Sequence, residues 1–292
     1  MIQEEFVPVA IDQWYQRRQQ DAEGEFYRKI AAQGPRSDFN QTTQGHYACD
    51  ASGKLLGFNG NHVDLARIKS FMTKAIKDFD ADLCKDTKVI EKGTPDAKYD
   101  YKPPVDGLVV RVCSKVLGGY AKPKNARAAA FQKSVGMDNL WITADEKQEL
   151  IKVVREDGEF PSELAYRIAR FHLIDNTRGE PPRWDKEQIK SIELKVSDGH
   201  ISGRTSISTD DSKRGYEAEL FGYVEFDGEE VTRFDLVAKG EFWGEGRHTP
   251  SAPEGKFPLA ITFRLGDSSS TESRAIPHGG KGWIEGYYQC AN

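Results

Sequence analysis

Between residues 191 and 265 the chain repeats one pattern with a period of two, the period of a half-buried strand and not of a helix. Ile192, Leu194 and Val196 alternate with Glu193 and Lys195, and Asp198-Gly199 offers a tight turn into a strand over 201–208. Tyr216, Ala218, Leu220, Gly222, Val224 and Phe226 then alternate with Glu217, Glu219, Phe221, Tyr223 and Glu225. After Asp227-Gly228 comes a third set, Thr232, Phe234, Leu236, Ala238, Gly240 and Phe242, against Arg233, Asp235, Lys239 and Glu241. Phe257, Leu259, Ile261, Phe263 and Leu265 predict another strand, and 283–288 a last one. Six strands linked this way predict an antiparallel meander, strongly curved or closed into a barrel, with one apolar and one wet face.

Upstream of this meander, 108–113 is a β-rich apolar run. Thr143-Ala144-Asp145-Glu146 fits a capping box that opens a helix through Leu150, Ile151, Val153 and Val154. Pro161 suits the first turn of a second helix, with Leu164, Ala165, Ile168, Phe171 and His172 on one face. The expected second domain, 107–292, is therefore a helical segment followed by an antiparallel sheet or barrel.

The N-terminal part reads differently. Residues 46–49 and 54–58 predict two short strands about an Asp50-Ala51-Ser52-Gly53 turn. Ile68, Phe71, Met72, Ala75, Ile76 and Phe79 follow at helical spacing. Before them, 6–11 is an apolar run of strand length and 25–32 reads as a short helix, which predicts the order strand, helix, strand, strand, helix. This succession, with the Asp50-x-x-Gly53-Lys54 hairpin ahead of an amphipathic helix, resembles the C-terminal two thirds of a thioredoxin-like domain over roughly the first 80 residues. The resemblance implies a truncated or degenerate α/β scaffold and not redox chemistry, because no Cys-x-x-Cys occurs in the chain. The proline that usually precedes the hairpin strand is replaced by Thr42-Thr43-Gln44-Gly45. An upstream leader and a first βα unit removed from a longer protein are expected on the same resemblance. The whole reads as an α+β chain with a first domain over 1–84, a charged, Pro- and Gly-containing linker over 85–106, and the second domain beyond it.

Composition narrows function by exclusion. A net charge of −5 with Lys and Arg scattered among acids gives no field to gather nucleic acid. No apolar run reaches the length of a membrane span, and the first residues lack the pattern of a signal peptide, so the chain as written is expected to be cytoplasmic, or exported if a leader has been removed. Cys49, Cys84, Cys113 and Cys290 show no metal or redox spacing; Cys49 and Cys113 read as small buried hydrophobes, and Cys84 and Cys290 as a pair only if the fold joins them. The histidines show no H-E-x-x-H or similar spacing, and neither cofactor nor metal is expected.

Two stretches concentrate chemistry. The first, 239–248, carries Glu241, Trp243, Glu245, Arg247 and His248 at a strand end, where paired carboxylates can divide acid and base roles and an indole can stack on a sugar ring. A charged strand running into a glycine-rich loop, with Trp243 over the sheet rim, accounts for the same residues. The second places His172 and Asp175 one turn apart, beside Arg178, as a base and its orienting carboxylate, although no G-x-S-x-G elbow is present. Phe221 and Tyr223, side by side on the wet sheet face, are expected to meet a helix, the first domain or a ligand. The leading expectation is a non-redox binding or interaction protein with an unknown protein or small-molecule partner. An ester or glycoside hydrolase using Glu241, Glu245, His248, His172 and Asp175 is the alternative, and thiol-disulfide chemistry stands behind both.

Overall fold

The computed structural model describes residues 1–62, 64–85, 88–94 and 100–289. The chain divides into two compact units, Met1–Asp100 and Tyr101–Asn292. Part of the expected linker and Cys290 lie outside the described residues, and with Cys290 the suggested Cys84 pairing.

The first unit begins with three helices, α1 (Ile2–Glu5), α2 (Gln13–Gln16) and α3 (Ala22–Ala32), followed by the hairpin of β1 (His46–Cys49) and β2 (Leu55–Asn59) and by α4 (Leu65–Asp78). The hairpin turn is set by Asp50, whose Oδ1 accepts from the Ser52 N–H and hydroxyl at 2.9 and 2.6 Å and from the Lys54 N–H at 3.0 Å, while Gly53 takes φ +82°. Asp64 caps α4 by accepting from the Arg67 N–H at 2.8 Å, and Phe71 and Ala75 pack on the small core of Ala48 and Leu56. The expected strand over 6–11 is absent. Those residues pair with nothing regular, and Val7 and Val9 are 90% and 74% exposed, because Pro8 interrupts the row of donors a ladder needs. Cys49 also departs from the buried reading: it is exposed on β1.

The second unit is an eight-stranded antiparallel sheet. Its strands are β3 (Leu108–Val116), β4 (Gly136–Ile142), β5 (Gly158–Glu159), β6 (Ile189–Ser197), β7 (His200–Ser208), β8 (Gly215–Asp227), β9 (Glu230–Trp243) and β10 (Lys256–Leu265), in the linear order 4-3-10-9-8-7-6-5. The predicted alternation places Tyr216, Leu220, Phe234, Leu236, Phe257 and Ile261 on one buried face. Asp198 at φ 49° and Gly199 at φ 71° form the predicted tight turn between β6 and β7. The sheet is open and not a barrel: β4 and β5 are its edges, since β10 returns to pair with β3 and not with β6.

Helices α5 (Ala126–Lys133), α6 (Ala144–Glu156), α7 (Ser162–Arg167) and α8 (Ile284–Tyr288) complete this unit. Thr143 and Glu146 form the predicted capping box at the start of α6. Beyond α7 the chain widens into one π-helical turn, Ile168–His172, closed by a Leu173 N–H to Ile168 carbonyl bond of 3.0 Å. The wider turn lets the consecutive Phe171 and His172 both be buried. The predicted last strand over 283–288 is instead α8, whose C-terminal carbonyls of Tyr287 and Tyr288 are claimed by the Arg167 guanidinium at 3.0 and 2.8 Å rather than by a neighbouring strand.

Candidate functional site

Three segments distant in sequence meet at a cleft of about 600 Å³ on the second unit: 180–183 after the π-turn, 247–248 in the loop between β9 and β10, and 278–283 before α8. That volume suits a small molecule. The lining cations are Arg183, Arg247 and Lys281, against the single carboxylate of Glu180, with His248, His278 and Trp283 beside them. The Arg183 guanidinium lies 4.5 Å from the centre of the Trp283 indole and that of Arg170 lies 5.9 Å from it. Burial lowers the pKa of Arg183, and the like charge of Arg170 lowers it further; desolvation does the same to Lys281. Arg183 and Lys281 are thus in settings that an anion would relieve.

Behind this cleft stands a rigid hydrogen-bonded wall. The Trp141 N–H donates to the Tyr287 oxygen at 3.3 Å, Tyr287 meets His172 Nε2 at 2.9 Å, and His172 Nδ1 meets Asp138 Oδ2 at 2.9 Å. One tautomer satisfies every group: the phenol donates to Nε2 and Nδ1–H donates to the carboxylate. Asp138 Oδ1 in turn accepts the backbone N–H of His278 at 3.0 Å, which ties the cleft loop to β4. Burial holds the Tyr287 phenol well above its ordinary range, so it stays a donor. Burial also lowers the pKa of His278, against a smaller upward pull from Asp138. Gly279 completes the loop at φ +80°, where a Cβ would come within 2.4 Å of the Phe171 ring.

Of the residues singled out in the sequence, Arg247 and His248 line this cleft. His172 and Asp175 do not form a pair: His172 takes its carboxylate from Asp138, and Asp175 is buried against Arg178 at 2.6 Å while accepting from Thr177. Arg178 also donates to the Tyr120 hydroxyl at 3.1 Å, and burial of the nearby Arg214 lowers its pKa to about 10. Glu245 accepts the Ala252 N–H at 2.7 Å and shapes its own loop. Trp243 donates to the Ser212 carbonyl at 2.9 Å and covers the Gly215 backbone at the sheet rim. Glu241 lies on the open face directly opposite Glu217, which is paired with Lys256 at 2.7 Å. Arg233 bridges Glu225 and Asp235, and Glu219 faces Lys239 across the ladder.

Phe221 and Tyr223 remain 51% and 40% exposed; Tyr223 is flanked by the His200 ring at 4.6 Å and the Arg233 guanidinium at 4.7 Å. Arg183, His278, Lys281 and Trp283 were not anticipated. The run Pro277-His278-Gly279-Gly280-Lys281-Gly282-Trp283, glycine-rich with basic and aromatic members, is the signal that marks them.

Among the described residues no group of His, Cys, Asp and Glu is arranged to hold a metal ion, and no helix is long and apolar enough to cross a membrane. Comparison with known protein families, with curated proteins and with solved structures finds no match.

Proposed function

We propose that the chain is a non-redox binding protein whose second unit takes a small dianionic ligand, such as a phosphate monoester, in the Arg183–Arg247–Lys281 cleft, with a flat or apolar part of the ligand against Trp283. The observation that supports this is the convergence of three cations on one carboxylate from three separate segments, on a loop tied down through Asp138. Two charges in excess suit a dianion, and the guanidiniums of Arg183 and Arg247 supply forked donors for it. In the first unit the Cys49 thiol is pushed above its ordinary range by desolvation and then by Asp50, which disfavours the thiolate and agrees with a scaffold role for a degenerate thioredoxin-like part.

Calorimetric titration of the full chain with phenyl phosphate tests the reading. Loss of two charge-assisted contacts, each worth about 1.5–3 kcal/mol, should weaken binding by at least about tenfold in the R183A/R247A variant. Equal affinity in variant and parent, or no binding by the parent, overturns it.

One observation favours hydrolysis as a second reading. His278 lines the cleft, and burial favours its neutral form, in which an imidazole can accept a proton. Turnover of p-nitrophenyl phosphate that disappears in H278N would support it; phenyl phosphate binding without turnover would leave binding alone.

A further inference from the structure

The cleft formed by 180–183, 247–248 and 278–283 holds an acceptor as well as donors, and the acceptor narrows what can bind there. Among the described residues neither the Arg183 nor the Arg247 guanidinium makes a hydrogen bond or an ion pair. The same is true of the Glu180 carboxylate, although cations line the same cleft. Its place is fixed by the backbone on both sides. A Cβ at Gly179 would lie 2.2 Å from the His248 carbonyl oxygen, so the chain entering Glu180 runs directly against the opposite wall. Two residues further on, the Pro182 carbonyl accepts from the buried Arg214 at 3.0 Å. Burial lowers the pKa of His278, while Asp138 and, to a smaller extent, Glu180 raise it, so the Glu180 charge reaches that ring across the cleft.

This carboxylate selects among phosphate esters. A ligand that is acceptor throughout gains from the guanidiniums and is repelled at Glu180, whereas one that also carries hydrogen-bond donors gains at both. The donor can be a hydroxyl or an ammonium. An ammonium would stand among Arg183, Arg247 and Lys281 and be repelled; a hydroxyl brings the donor without the charge. The rings of His248 and His278 can meet further hydroxyls, and the Trp283 indole, 41% exposed, offers apolar area to the C–H edges of a sugar. We propose that the ligand of this cleft is a hydroxylated phosphate monoester, a sugar or polyol phosphate, with its phosphate on Arg183 and Arg247 and a hydroxyl donating to Glu180. The proposal rests on the anion-binding reading of the same cleft and adds Glu180 as the residue that sets its specificity.

Calorimetry on the full chain tests it by comparing glucose 6-phosphate, ribose 5-phosphate and glycerol 3-phosphate with cyclohexylmethyl phosphate, which keeps the phosphate and lacks every hydroxyl. At least one of the three should bind about tenfold more tightly than the hydroxyl-free ester, the effect of one hydrogen bond to a charged acceptor. In E180A that preference should vanish, while cyclohexylmethyl phosphate binds as it does to the parent or more tightly, a like charge having been removed. Glu180 is exposed, so the variant changes the cleft and not the core. Equal binding of the hydroxylated and hydroxyl-free esters, or a preference that survives in E180A, overturns the proposal and leaves the anion-binding reading standing. Tighter binding of glucosamine 6-phosphate than of glucose 6-phosphate would put an ammonium in the cleft and overturn it as well. A parent that binds none of these esters overturns the anion-binding reading and this proposal with it.

Discussion

Replacing Arg167 by Met should be among the most damaging single changes in the second unit. The guanidinium is 1% exposed and is held by both carboxylate oxygens of Glu146, with the Nη1 contact at 2.8 Å. It also donates to the carbonyls of Trp141, Tyr287 and Tyr288 and lies 5.2 Å from the centres of both tyrosine rings. Met restores much of the volume but leaves Glu146 charged at 12% exposure and three carbonyls short of a donor. Breaking one partner out of a buried pair costs about 3–5 kcal/mol. At roughly 2–4 °C per kcal/mol for a unit of this size, the melting temperature should fall by roughly 6–20 °C. Because a buried pair replaced as a whole by apolar groups can be nearly neutral, R167M/E146L should recover part of that loss. Thermal unfolding of the full chain by near-ultraviolet circular dichroism measures both. A fall of less than about 1 kcal/mol in R167M, or a double variant as unstable as the sum of the singles, would refute the reasoning.

The Asp175–Arg178 pair carries a related prediction. D175N leaves Arg178 and the neighbouring Arg214 buried without their carboxylate and should cost about 3–5 kcal/mol, read by urea denaturation. G279A forces a Cβ against Phe171 at a positive φ and should weaken phenyl phosphate binding together with stability; unchanged affinity would mean that the loop does not shape the cleft. The lowered pKa of His278 sets a direction with pH. An imidazole that stays neutral in the folded chain takes up a proton more readily when unfolded, so its contribution is complete above the ordinary histidine value of 6.5 and is lost as pH falls through 6.5 toward the folded value. Melting temperature should drop over that interval, and less steeply in H278N.

Legibility in the sequence followed how local the cause was. β6 to β10 could be read because each buries one face and leaves the other wet, and because Asp198-Gly199 and Asp227-Gly228 have the residues their turns require. β4 was missed because Leu140, Trp141 and Ile142 are buried in succession, without alternation: the far side of Trp141 is covered by Tyr287 and by the Ser273 carbonyl that its indole N–H meets at 3.2 Å. The helix at 284–288 and the unpaired run at 6–11 were misread as strands from composition alone. In the first case Arg167, more than a hundred residues away, claims the carbonyls; in the second no partner strand is present among the described residues. The sequence spacing pairs His172 with Asp175, whereas the carboxylate it meets is Asp138, 34 positions upstream on β4, a strand without alternation. The cleft assembles from segments up to about a hundred residues apart, a distance over which periodicity carries no information.

The two-residue strand β5 has a consequence for how this protein behaves at high concentration. It pairs only Gly158 with Val196 and Glu159 with Lys195 before the chain turns away through Phe160 into α7. β5 itself offers an incoming strand from another molecule two residues of ladder, with Glu159 and Lys195 already bridged at 3.3 Å. Such a short, charged border is a poor template for edge-to-edge growth. Aggregation that propagates by pairing on an edge strand should therefore favour β4, where Met137 is 63% exposed beside Val135, over β5, and charged replacements at β4 should slow it more than any made at β5.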